Sequence, residues 1–126
     1  MVGSIVRKYV EQAEIYRHNF RELYRRGEYP KACESLWGAI VSLINALSIL
    51  KIRKPLTSHQ EIKNFIKEIA VELNDKELYK LFKHSEKLHA NFYHQFFDQD
   101  DYLVYIDDGL KLIDKLKSIM DYIKRK

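Results

Sequence analysis

The chain has 126 residues, with 22 Lys plus Arg against 18 Asp plus Glu and a single cysteine, Cys33. This length suits one domain spanning residues 1–126 and supports a core without a disulfide or structural metal. The lone cysteine excludes an internal disulfide and a cysteine-based zinc site, and it fits a reducing, cytoplasmic setting. No charged stretch leading into an apolar run opens the sequence, and no run of about 18 apolar residues occurs, so neither a secretory signal nor a membrane span is expected. The basic excess lies in the first half: residues 1–54 carry ten basic and five acidic side chains, whereas residues 55–126 carry twelve and thirteen. Such a balance leaves room for an anionic partner and is equally ordinary solubility charge.

Apolar residues recur with helical period throughout, which predicts an all-α chain. A first helix over about Ser4 to Arg26 has the apolar line Val6, Tyr9, Val10, Ala13, Tyr16, Phe20 and Leu23, and Gly27 is placed to end it in a left-handed turn. Arg17, Arg21 and Arg25 recur every four residues on it beside Tyr24, with Glu22 placed to pair with Arg26. The second helix opens at Pro30, a favoured first-turn residue. It runs to about Lys51, and Leu36, Trp37, Ile40, Leu43, Ile44, Leu47 and Leu50 give it a wide apolar face, so it should be the most buried element. Gly38 beside Trp37 implies that a neighbouring side chain packs against its backbone.

After the turn at Pro55, Thr57 or Ser58 can cap a shorter third helix bearing Ile62, Phe65, Ile66, Ile69 and Leu73. Asn74 and Glu77 have capping-box spacing for a fourth helix reaching about Phe97. The acidic stretch Asp98 to Asp101 breaks the pattern, with Asp100 or Asp101 as cap of a fifth helix carrying Leu103, Ile106, Leu110, Ile113, Leu116, Met120 and Ile123. Short connections predict an up-and-down bundle of four long helices plus the shorter third.

On a wheel the fourth helix divides in two. Leu78, Leu81, Phe82, Ser85, Leu88, His89, Phe92, Tyr93 and Phe96 share an arc of about 140°. This makes His89 a core imidazole needing a partner, with Ser85, Tyr93 and His59 available, and makes Tyr93, Trp37 and His59 buried support. Lys80, His84, Lys87, Asn91 and His94 fall opposite. Lys87, Asn91 and His94 follow i, i+4, i+7 spacing, so a cation, an amide and an imidazole line up where they could hold a phosphate and move a proton, with His94 the candidate catalytic residue. The same line also suits a plain solvated face. His84, His89 and His94 are five residues apart, unlike the i, i+4 spacing of helical zinc ligands, so no metal is expected. No P-loop, nucleophile elbow or dinucleotide fingerprint occurs, and no cofactor is expected.

Two stretches carry a resemblance. Lys31-Ala32-Cys33-Glu34-Ser35-Leu36-Trp37-Gly38-Ala39 resembles the KA-x-E-x-LWGA stretch of the PaREP proteins of thermophilic archaea. Ser58-His59 and Leu88-His89-Ala90-Asn91-Phe92-Tyr93 resemble that family's SH and LH-x-NFY motifs. In helix order the chain is also similar to the HEPN superfamily, helical bundles that are often dimeric and include ribonucleases of toxin and defence systems. Active HEPN members place an Arg, then four to six intervening residues, then a His on the last long helix. No Arg stands between Arg53 and Arg125 here; His89-x4-His94 and Lys87-x6-His94 have the spacing with other residues. The resemblance therefore implies a HEPN-like, non-catalytic homodimer that binds RNA, a nucleotide or a protein partner. A metal-independent ribonuclease using His94, Lys87 and Asn91, and a purely structural protein, remain the alternatives.

Overall fold

The computed structural model describes all 126 residues as five helices and no strands: α1 (Val2–Arg25), α2 (Tyr29–Ile52), α3 (His59–Glu72), α4 (Lys76–His94) and α5 (Gln99–Arg125). The all-α expectation and the five elements hold, with four long helices and a shorter third. Gly27 takes the left-handed conformation (φ 79°) at the α1–α2 turn, as its position predicted. Ser58 caps α3 by accepting a hydrogen bond from the Glu61 N–H at 3.1 Å.

Two caps differ from the sequence reading. Asp75 rather than Asn74 caps α4, accepting from the Leu78 N–H at 3.1 Å, while Asn74 turns the chain with φ 51°. Asp98 rather than Asp100 or Asp101 caps α5. Its carboxylate accepts from the Asp101 N–H at 2.8 Å, and Asp101 reciprocates by accepting from the Asp98 N–H at 3.1 Å, a capping box built from two aspartates. α4 also stops earlier than its apolar run suggests, at His94, because Gln95 turns left-handed (φ 46°). On α1, Glu22 pairs with Arg25 instead of Arg26.

α2 is the centre of the molecule. It packs against α1, α3, α4 and α5, and α1 packs closely against no other helix. Its apolarity reaches a mean hydropathy of 1.7, enough by composition to cross a membrane, yet its side chains are spent on four neighbours. Leu36, Ile40, Ile44 and Leu47 are fully buried there. Opposite them lie Leu78, Phe82 and Leu88 of α4, Leu112, Ile113 and Leu116 of α5, and Ile66 of α3. The expected lines of α1, α2 and α3 all join this core. On α5, Leu103 is exposed and Gly109 is buried in its stead.

Two glycines set how closely the helices approach. A Cβ on Gly38 would lie 2.8 Å from the Tyr16 ring, so α1 lays an aromatic side chain on the α2 backbone, as expected of that position. A Cβ on Gly109 would meet Leu36 at 2.9 Å and Leu88 at 3.0 Å, both fully buried, at the junction of α2, α4 and α5. Gly109→Ala should therefore cost about 1–3 kcal/mol by overpacking, despite alanine's better helix propensity. Urea unfolding read by circular dichroism measures it, with the midpoint lowered and the slope unchanged.

The turn between α3 and α4 is tied to α5 by Asp75, whose carboxylate accepts from Lys115 Nζ at 2.9 Å. Burial pushes the Asp75 carboxyl up, but the hydrogen bonds from Lys115 and the Leu78 N–H outweigh it and hold the group below its ordinary value. The hydrogen bond to Asp75 raises Lys115. A lowered acid stabilises the fold above its unfolded pKa of about 3.9 and loses that contribution as pH falls through the folded value. A raised lysine stabilises below about 10.4 and loses that as pH rises through its folded value. Asp75→Asn keeps a good cap and removes the ion pair, so it should cost about 0.5 kcal/mol at pH 7, the site being partly solvent-screened. The thermal midpoints of variant and native protein should converge below about pH 4.

Candidate functional site

α4 lies between α2, α3 and α5, and this placement redistributes its predicted faces. Asn91 is 0% exposed rather than outward-facing. Its Nδ2 donates to the Tyr102 hydroxyl at 3.1 Å and its Oδ1 accepts from the Phe97 N–H at 2.7 Å, so it clasps the end of α4 to the start of α5. His84 is also drawn inward, its Nδ1–H donating to Asp108 of α5 at 2.6 Å with Tyr105 edge-on. Lys87 and His94 remain exposed. The proposed line of cation, amide and imidazole is therefore not assembled: its middle member is buried and His94 has no hydrogen-bonding carboxylate.

The other side of α4 gathers more chemistry. Glu86, His89 and Tyr93 follow Phe82 at i+4, i+7 and i+11, one continuous line on the helix. Facing it on α2 are Glu34 and Trp37, and His59 enters from the first residue of α3. Trp37 is 6% exposed, the buried support expected of it. Its ring lies 5.8 Å from His89, 6.0 Å from His59 and 5.9 Å from Phe82. His59 and Tyr93, expected to be buried, are not: His59 is exposed, and Tyr93 is 63% exposed with its ring edge-on to His89 at 5.2 Å. His89 is half-buried.

Each imidazole of this face is held by a carboxylate. His89 Nδ1 lies 2.7 Å and 3.1 Å from the two Glu34 oxygens. His59 Nε2 lies 2.6 Å from Glu86. A carboxylate only accepts, so each of these nitrogens carries the hydrogen; in the neutral imidazoles His89 Nε2 and His59 Nδ1 are left as acceptors. Burial pushes the Glu86 carboxyl up, but hydrogen bonds from Lys83 (2.9 Å) and His59 outweigh it, and the group sits below its ordinary value. The arrangement fixes two imidazoles in known orientations beside an aromatic floor, with one open nitrogen each.

Glu34 and Glu86 were not singled out from the sequence. Glu34 stands inside the KA-x-E-x-LWGA stretch, but its partner is 55 residues away in the chain, and only the α2–α4 packing joins them. Cys33, next to it, is buried, and burial with the neighbouring Glu34 charge pushes its thiol up to about 12, so it is no nucleophile. No group of three or more His, Cys, Asp or Glu side chains is arranged to hold a metal.

The fold and this face together define a small all-α domain in which residues of the three resemblance motifs meet on one side of the central helix. The chain belongs to the archaeal PaREP1/PaREP8 family, whose family model matches residues 8–113. No curated protein matches the chain. Among solved structures, the crystal structure of a protein from Sulfolobus solfataricus is similar, with a TM-score of 0.72 and 20% identity over 85% of this chain and 94% of that one. That likeness concerns the fold.

The clasp by Asn91 can be checked directly. Asn91→Ala leaves the Phe97 N–H without its acceptor and should cost about 2–3 kcal/mol. Hydrogen exchange should show the loss as faster exchange at Phe97 and the first turn of α5, with α1 unaffected.

Proposed function

We propose that the chain is a HEPN-like binding module without catalytic activity, that it works as a homodimer, and that it engages a protein partner on the face formed by Glu34, Trp37, His59, Glu86, His89 and Tyr93. The observation that carries this reading is the convergence of residues from three separated motifs on a half-open surface whose imidazoles each keep one ring nitrogen without a protein partner and whose Tyr93 ring is 63% exposed. Exposed Tyr and polar acceptors around a buried aromatic floor suit a protein interface. The charge on this face supports a protein over RNA: Glu34 and Glu86 flank it, and Lys83, a nearby cation, is already paired with Glu86. Two carboxylates repel a phosphate backbone. Self-association draws support from Tyr93, Phe96, Leu103 and Val104, four exposed large side chains around the α4–α5 turn.

The ribonuclease alternative would rest on His94, which is exposed and has no carboxylate to orient it. Under the binding reading, purified protein leaves single-stranded and structured RNAs intact. Photo-crosslinking from position 93 in an extract of the source cell should yield a defined protein adduct that survives ribonuclease treatment and disappears in a His89→Ala background. RNA retained in place of protein, with salt-sensitive binding that depends on Lys80 and Lys87, would establish the RNA reading instead.

A further inference from the structure

Between α1 and α2 an open cavity of about 250 Å³ is lined by Gln12, Tyr16, Glu34, Trp37, Gly38, Val41 and Ser42. Gly38 lets the Tyr16 ring lie against the α2 backbone, and Tyr16 and Trp37 both line the opening. Two aromatic rings and one carboxylate line it, and no Lys or Arg does. Glu34 is the charged wall. Its partner on the far side is the His89 imidazole, and no lysine or arginine neutralises it.

From this geometry we infer that the cavity receives a cationic side chain, an arginine or lysine, presented by the partner protein. The inference rests on the protein-partner reading above and names the group that reading leaves open. Three features select this chemistry. Aromatic faces and a carboxylate together attract an ammonium or guanidinium group and repel a phosphate or a carboxylate. The volume lies below the range of roughly 300–1,000 Å³ usual for whole small-molecule ligands, so it suits one side-chain head rather than a nucleotide. Exposed apolar groups neighbour the residues of the wall: Ile15 stands three residues from Gln12 on α1, and Tyr93 lies edge-on to His89, the partner of Glu34. A cation carried on a protein surface could bring apolar neighbours to those side chains.

The chain's sole tryptophan is in the cavity wall, so its fluorescence reports occupancy without a label. The probes are N-acetyl-argininamide, N-acetyl-lysinamide, N-acetyl-glutamine amide, uridine monophosphate and a short peptide with one central arginine flanked by apolar residues. Saturable change in Trp37 emission with the two cationic amides, stronger with the arginine peptide and absent with the neutral amide and the nucleotide, is the expected result. Glu34→Gln should weaken the cation about tenfold, one charge-assisted contact. Tyr16→Leu, which leaves the Glu34–His89 pair in place, should weaken it by a similar factor, and circular dichroism verifies that both variants fold. Equal response to neutral and cationic amides, or cation binding indifferent to both substitutions, overturns the inference. A position-93 protein adduct that forms unchanged in Glu34→Gln and Tyr16→Leu would leave the interface standing and remove the cavity from it. Cation binding in the absence of any protein adduct would do the reverse, since it would keep the cavity as a site for a free organic cation and overturn the partner's part in the inference.

Discussion

Everything in this domain depends on one helix being apolar on nearly all sides. α2 has four neighbours, and its buried residues run almost without a break from Ala32 to Ile49. A helix of that kind cannot be a surface helix, and none of the other four could replace it, because each carries a polar face. Its burial leaves polar atoms to be settled at its ends. Asn45 does this at the α2–α3 connection, accepting from the Leu56 N–H at 2.8 Å, and Ser48 donates to the Lys54 carbonyl at 2.8 Å. Asn91 does the same for the α4–α5 turn. Two buried asparagines thus hold the chain where it leaves a core helix, and no buried side-chain polar atom is left without a partner.

The central position of α2 also explains where chemistry collects. Leu36 and Ile40 face the core, while Glu34 and Trp37 reach the edge where α2 meets α4 and α3. A half-buried carboxylate beside an aromatic core needs a donor, and the imidazole of His89 supplies one across the helix interface. The same logic repeats at His59 with Glu86 and at His84 with Asp108. These three pairs tie α4 to α2, α3 and α5 in turn. Only the first two share Trp37 as a common floor, which is why that side forms a face and the His84 side a single tie.

Helix number, the shorter third helix and the apolar lines of α1 to α3 were legible from period alone, as were Gly27, Ser58 and the burial of Trp37. These depend on local conformation or on a wide apolar stripe, both written in neighbouring residues. The faces of α4 were less legible. A wheel centred on the arc from Leu88 to Tyr93 assumes one packing surface, whereas α4 has three. Asn91 lies about 60° from Leu88 and Tyr93 about 140°, on opposite sides of it. The presence of α5 on the Asn91 side therefore buries the amide and leaves the tyrosine in solvent. The Glu34–His89 pair had no signal in spacing at all, since helix packing alone brings together residues 55 positions apart.

Net charge does not point to the face where the three motifs meet. The chain is basic by four charges, and its unpaired cations, such as Lys80 and Lys87, are dispersed along exposed helix surface. The place where side chains of three motifs meet carries two carboxylates and one nearby lysine. A long-range basic field influences which molecules approach, but recognition depends on groups that are desolvated and fixed in orientation. In this fold the carboxylate-held imidazoles are fixed in orientation, and Trp37 beside them is largely desolvated. A solvated lysine can turn to meet many partners. An imidazole held at 2.7 Å by a half-buried carboxylate presents its open nitrogen in one direction, and that constraint is the physical basis for proposing the α2–α3–α4 face, rather than the basic surface, as the one that discriminates.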